Sequence, residues 1–306
     1  MMDLGRLRLL RELRRHGTMT AVAVANRLTP SAVSQQLATL EAEARVKLFE
    51  PVGRRVRLTA AGHRLAAHAE TILNAVDAAR IDMGIVADRP GGALDIACFG
   101  TFAKAHLLPA ILRTREKHPD LSIVVHEMEP EDALHAVRIG RCDAGIIYTH
   151  SLVPRVVDPG LVSHALMDEP VLLALPPRFA TLPATVDLAA LATCAWIGGA
   201  RESEGRTLTS RACALAGFAP RVTHAIDDYE LLLGAVAADL GISFVPRVAL
   251  DLHPNAAVVV RTPAGPPLRR TTSLVARPAV ASSPAFGAFL AAVSSGTGPH
   301  EEAAHQ

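Results

Sequence analysis

The chain has 306 residues, half of them apolar and a fifth charged, with a formal net charge of +1. That length suits two or three domains with substantial cores. There is no run of about 18 uninterrupted apolar residues, so no membrane span and no membrane partner is expected. Charge is unevenly spread: residues 1–58 hold eleven Arg/Lys and five Asp/Glu, and the remaining residues twenty and twenty-five. A basic front on a mildly acidic body points to an N-terminal segment that meets a polyanion. The four cysteines (Cys98, Cys142, Cys194, Cys213) are far apart with no CxxC pair, which argues against a zinc site or a disulfide framework.

The opening "MMDLGRLRLLRELRRH" alternates Arg and Leu at helical spacing and lacks the apolar centre of a secretory leader, so a cytoplasmic location is expected. It predicts a helix over 3–16 with Leu7, Leu10 and Leu13 inward and Gly17 ending it. Thr18 or Thr20 caps a second helix of small residues. The third helix is "TPSAVSQQLATLE", residues 29–41, with Thr29 at the N-cap and Pro30 at N1, where a missing N–H costs nothing. On a 100° wheel Val33, Leu37 and Leu40 share one side and must face a core. Ser31, Gln35 and Ala38 lie opposite, flanked by Ser34 and Thr39. Ordinary soluble helices fill that side with Glu and Lys. Here it is short, uncharged and rich in donors and acceptors, which suits the floor of a DNA major groove. "KLFEPVGRRVRLT" then alternates apolar and basic residues around Gly53 and reads as a small β-wing.

A long helix follows from Thr59 to about Ala87. Leu65, Ala69, Ile72, Val76, Ala79, Met83 and Val86 recur at 4-3-4 spacing, the pattern of a dimer seam. "DRPGG" breaks it. Beyond this point short apolar strands alternate with helices: "ALDIACF", "LSIVVHEM", "AGIIY", "PVLLALP", "CAWIGG", "RVTHAI", "ISFVP" and "TSLVAR". The pattern is α/β, with largely parallel strands expected. "EPEDALHAVRIGRCDAGIIY" and "DDYELLLGAVAADLGISFVP" echo each other as acid cap, helix, Gly and strand, consistent with two similar lobes and a cleft between them. No GxSxG, Walker loop, GxGxxG or HExxH occurs, so an enzyme is not expected. His126 has no partner at ligand spacing, and neither a metal nor a cofactor is expected.

"LTPSAVSQQLATLE", "VKLFEPVGRRVRLTAAG" and the long helix resemble the winged helix-turn-helix of LysR-type transcriptional regulators. The remainder, notably "HLLPAILRTREKHPDLSIVVHEMEPEDALHAVRIGRCDAGIIY", is similar to their periplasmic-binding-protein-like effector domain, and the match spans about residues 3–290. The fold class implied is α/β with a winged-helix N-terminal domain. Residues 1–58 would be the DNA-binding domain, 59–90 the dimerisation helix and 91–293 the effector domain. That domain would divide into lobe I (92–162 and 267–292) and lobe II (163–266), followed by a disordered tail over 294–306. The resemblance implies bases read by Thr29, Pro30, Ser31, Ser34 and Gln35, and wing contacts from Arg54 and Arg55. It implies a dimer helix through Leu65, Ile72, Val76 and Met83. Two positions depart from the family: Arg45 stands where a turn glycine is usual, and Pro51 where an arginine is usual.

Effector positions that match are Gly100, Thr101, Phe102, Met128, Ile147 and Tyr148, with Arg201, Glu202, Asp227 and Tyr229 from the second lobe. Alternatives stay open at several. Thr101, Asp227 or Asp228 can simply cap a helix, and Tyr148 can be edge packing. Arg201 can hold a ligand carboxylate or pair with Glu202 or Glu204. The implied partners are a partly palindromic double-stranded DNA operator, a small-molecule effector, a second or fourth copy of the chain, and RNA polymerase. A redox sensor of the same fold, using Cys194 and Cys213, is the alternative function.

Overall fold

A computed structural model describes residues 2–52, 55–84, 90–155, 160–200 and 203–296. Three helices open the chain: α1 (Leu4–His16), α2 (Met19–Asn26) and α3 (Pro30–Ala44). The side chain of Asp3 caps α1, that of Thr18 caps α2 and that of Thr29 caps α3. Gly17 ends α1 in the left-handed region at φ 70°. Leu7, Leu10 and Leu13 meet Val33, Leu37 and Leu40 in one core, as their helical spacing requires. The hairpin of β1 (Phe49–Val52) and β2 (Arg55–Leu58) is the expected wing. Arg57 crosses it to Glu50, with Nη2 to Oε1 at 2.6 Å.

Arg45, the missing turn glycine, takes the bend itself at φ 52°. A left-handed conformation costs a non-glycine residue roughly 1–2 kcal/mol. Arg45→Gly is therefore expected to raise stability by about 1 kcal/mol, seen as a higher midpoint in thermal unfolding. An unchanged midpoint would mean the side chain repays the strain through contacts of its own.

The long helix α4 (Ala60–Gly84) starts where Thr59 Oγ1 accepts from Gly62 N at 3.0 Å. Its inner face belongs partly to the N-terminal core. Ala66, Ala69 and Leu73 are buried and Leu65 packs beside them. Ala69, expected in the seam between copies, is thus already covered by its own domain. Ile72 remains 39% exposed. The backbone at Met83 is helical, while Val86 lies outside the described residues.

The body begins with β3 (Gly92–Cys98) and a continuous helical stretch. The latter comprises α5 (Gly100–Phe102), a π-helical turn (Ala103–Leu107) and α6 (Leu108–Lys117). β4 (Leu121–Glu127), α7 (Pro130–Arg138), β5 (Ala144–His150) and β6 (Val162–Leu175) follow. Then come β7 (Thr185–Val186), β8 (Ala195–Gly198), α8 (Glu204–Leu215), β9 (Arg221–Ala225), α9 (Tyr229–Ala237), β10 (Ser243–Pro246) and α10 (Arg247–Leu252). β11 (Val259–Pro263), β12 (Arg269–Ala276), α11 (Pro278–Ala281) and α12 (Pro284–Ser294) complete the chain. The last helix runs one residue past the expected domain end, and residues 297–306 lie outside the described ones.

The sheet order is β4-β3-β5-β12-β6-β11-β7, with β10 also on β6 and a separate β8–β9 pair. The pairings of β3 with β4 and β5, of β8 with β9 and of β11 with β7 are parallel. Those of β12 with β5 and β6, and of β6 with β10 and β11, are antiparallel. The sheet is therefore mixed, which corrects the expectation of largely parallel strands. The reason is connectivity: β12 returns from the second lobe and enters the first sheet against the direction of its neighbours. β6 pairs with β12 up to Pro170 and with β10 and β11 from Val171. The switch between lobes falls inside this one strand, eight residues beyond the expected boundary at 162/163.

Candidate functional site

Two surfaces can bind partners. The first is the outer face of α3. Thr29, Pro30, Ser31, Ser34 and Gln35 are all exposed, while Val33, Leu37 and Leu40 on the opposite side are completely buried. Thr29 Oγ1 accepts from Ala32 N at 3.2 Å and shares a hydrogen bond with Ser31 Oγ at 2.9 Å, which fixes both hydroxyls at the first turn. Gln36 is held by Arg6 Nε at 3.1 Å, whereas Gln35 points outward. Of the two wing arginines, Arg54 lies outside the described residues and Arg55 is placed only as backbone within β2.

The second surface is a cleft of about 480 Å³ between the lobes. Gly100, Thr101 and Tyr148 line it from lobe I, and Asp227 and Tyr229 from lobe II, as expected. Three expected residues do not. Ile147 is buried beneath α7, because neighbouring residues of a strand point to opposite faces and Tyr148 already faces the cleft. Phe102 is fully buried in the lobe I core. Met128 turns away, its sulfur accepting from Arg141 Nη2 at 3.3 Å. Arg201 and Glu202 lie outside the described residues. The capping alternatives divide: Asp228 caps α9 through Leu231 N at 2.8 Å, whereas Asp227 accepts from Ala200 N across the cleft floor at 2.9 Å. Thr101 sits within the first turn, with its Oγ1 accepting from Arg270 Nη1 at 3.4 Å.

Arg270 is a cleft residue that the motifs did not show, and Glu129, read as the acid cap of α7, makes no capping hydrogen bond with its side chain and lines the cleft instead. Arg270 is buried, donates from Nε to Glu169 Oε1 at 2.8 Å, and lies over the rings of Phe99 and Tyr148 at 5.2 and 5.3 Å. Its charge is thus already paired. Glu129 accepts from Tyr148 Oη at 3.0 Å. Burial, with Asp227 and Glu204 adding like charge, raises its carboxyl above the usual range despite that hydrogen bond. Glu127 covers the start of α5: a Cβ at Gly100 would stand 2.8 Å from Glu127 Oε1, so a larger residue there would make the carboxylate shift. Glu127, Glu129, Asp227, Asp228 and Glu230 all line the cleft, against Lys104 and the paired Arg270.

The two thiols of the redox alternative are unbridged. Cys213 is buried in α8 and Cys194 half-buried before β8, and both are free. Burial pushes the Cys213 thiol up to about 12 and raises that of Cys194 as well, the opposite of the electropositive setting that activates a thiolate. His126 Nε2 hydrogen-bonds Asp95 Oδ1 at 2.6 Å between the neighbouring strands β4 and β3.

A helix-turn-helix with a wing, a long helix and a two-lobed cleft together define a ligand-responsive DNA-binding protein. Comparison with known proteins specifies the kind. Residues 4–63 match the bacterial regulatory helix-turn-helix of the lysR family, and residues 87–297 match the LysR substrate binding domain. The HTH-type transcriptional regulator YfeR of Shigella flexneri is 30% identical over 241 residues, covering 76% of this chain and 75% of that protein. A full-length point variant of OxyR from Pseudomonas aeruginosa superposes with a TM-score of 0.60 at 21% identity, covering 96% and 98% of the two chains. Full-length CbnR, solved with its target DNA, superposes at 0.52 and 22% identity over 96% and 99%. The chain belongs to the LysR family of transcriptional regulators. Among the described residues no helix is long and apolar enough to cross a membrane.

Proposed function

We propose that this regulator is not an enzyme and works in the cytoplasm as a homodimer or homotetramer. Its domains would be a reading head (1–58), a dimerisation helix (59–90) and an effector body (91–293). In this reading α3 lies in the major groove of a partly palindromic operator. Ser34 and Gln35 face base edges, Thr29, Pro30 and Ser31 lie along the phosphate side, and Arg54 and Arg55 follow the neighbouring backbone. The observation that supports it is the wholly exposed, uncharged outer face of α3 above a completely buried inner one. Ile72 and Val76 would meet a second copy, and RNA polymerase is a downstream partner.

The effector carries a positive charge, such as an amine or guanidine. Five carboxylates line the cleft and its buried arginine is already neutralised by Glu169. A cation between the lobes would offset the burial and, after it, the like charge that raise Glu129. The protonated form of Glu129 prevails below its raised pKa, so cation binding should strengthen as pH rises through that range and lose this dependence in Glu129→Gln. The test is footprinting of the DNA upstream of the protein's own gene at moderate salt, with added diamines or dicarboxylates. A dyad-related protected site that shifts with amines supports both parts. A shift with dicarboxylates alone overturns the effector class, and salt-sensitive protection without a defined site overturns base reading.

A further inference from the structure

Away from both surfaces, the N-terminal domain touches lobe I through α1, α2 and α7. Arg11 Nη2 donates to the Arg138 carbonyl at the end of α7 at 2.5 Å. Beside this contact stand Glu12 and His16, one turn apart on α1, and His135 on α7. One ligand atom from each lies within 4.8 Å of the others. Glu12 is completely buried, and Arg11 Nε donates to its Oε1 at 3.2 Å. Its other oxygen, Oε2, is buried without a hydrogen bond and lies 3.3 Å from His16 Nε2. His135 Nε2 is likewise buried without a partner, while the ring is hydrogen-bonded to the backbone of Ala25.

Two orphaned buried ligand atoms converging on a third is a costly arrangement for a protein to keep. The DNA-reading face and the effector cleft make no use of it. We propose that Glu12, His16 and His135 bind one zinc-class divalent metal ion at the seam between the DNA-binding domain and lobe I. Two imidazoles and a carboxylate are a common zinc set, leaving a fourth position for water. Tetrahedral zinc holds its donors about 3.3 Å apart. Glu12 and His16 already meet that spacing, and a ligand atom of His135 stands within 4.8 Å of both. The backbone bond at Ala25 orients that ring as outer partners of ligating histidines do. Arg11 and Arg15, the latter 4.0 Å from Glu12 Oε1, offset part of the carboxylate's charge. The site is therefore weaker than one with a bare carboxylate. Because its ligands come from two domains, a bound ion fixes the reading head to the effector body.

The test is calorimetric titration of zinc chloride into tag-free, full-length protein stripped with chelator. The expected result is one ion per chain, with affinity at least tenfold lower in His135→Gln. His16→Gln, which removes a partly exposed ligand, should weaken binding similarly and serves if the buried variant misfolds. Cobalt in place of zinc should give visible ligand-field bands without thiolate charge transfer. Absent saturable binding, unchanged affinity in the folded variants, or a thiolate band placing the ion on a cysteine would each overturn the assignment.

Discussion

Arg270→Leu is expected to cost about 3–5 kcal/mol of folding stability, the loss that follows when one member of a buried ion pair is removed. Arg270 is 2% exposed and Glu169 5%. Glu169 Oε1 accepts from Arg270, and its Oε2 accepts from Val248 N at 2.7 Å. Without the guanidinium the carboxylate stays in an apolar setting with a single backbone donor, and Phe99 and Tyr148 lose the cation over their rings. Replacing both members, Arg270→Met with Glu169→Gln, removes the lone charge and retains an acceptor for Val248. The double variant should recover much of the loss. Urea unfolding of the three proteins checks this. If Arg270→Leu unfolds at the wild-type midpoint, the pair is solvated in solution and does not organise the cleft.

Gln35→Ala should lower the preference for operator over scrambled DNA by about 1–3 kcal/mol, roughly 10- to 100-fold, and Ser34→Ala by a smaller amount in the same direction. Both residues stand on the exposed side of α3, so the changes leave Val33, Leu37 and Leu40 untouched and the fold intact. The loss should appear in the ratio of affinities, with little change in salt dependence, because neither side chain is charged. Competition binding at two salt concentrations measures both quantities. A uniform loss on every sequence would place these residues on phosphate, and an unaltered ratio would place the reading face elsewhere.

The N-terminal domain was almost fully legible because its signals are local. A cap, a proline at N1 and a three-residue apolar spacing place α3 without reference to the rest of the chain. All eight strands read from the sequence are present. β7, β11 and the first half of β6 were missed: β7 has two residues and the first half of β6 alternates, so no apolar run marks either, whereas β11 opens within the apolar run at 256–260 that Arg261 cuts short. Strand direction was not legible at all, since an apolar run such as "TSLVAR" reads the same whichever way its neighbours point. The cleft was half legible. Gly100, Thr101 and Asp227 follow strand ends and announce themselves, whereas Arg270 reaches Thr101 from the far end of the chain. Ile147 and Tyr148 looked equivalent until the pleat assigned them to opposite faces.

The single strand shared by both lobes has a mechanical consequence. The other crossing, between β11 and β12, is a short Gly-Pro-Pro segment with Gly265 at φ 100°. One link between the lobes is therefore a laddered rod and the other a short turn outside the ladder. Lobes joined this way would turn about the rod more readily than slide past each other, and closing on a small molecule would then be torsion along β6. The lobe I end of that rod, at Val162, pairs with Ala276, and the chain then enters α11, which packs against α4. Twist along β6 would thus reach α4, the helix that carries the N-terminal domain.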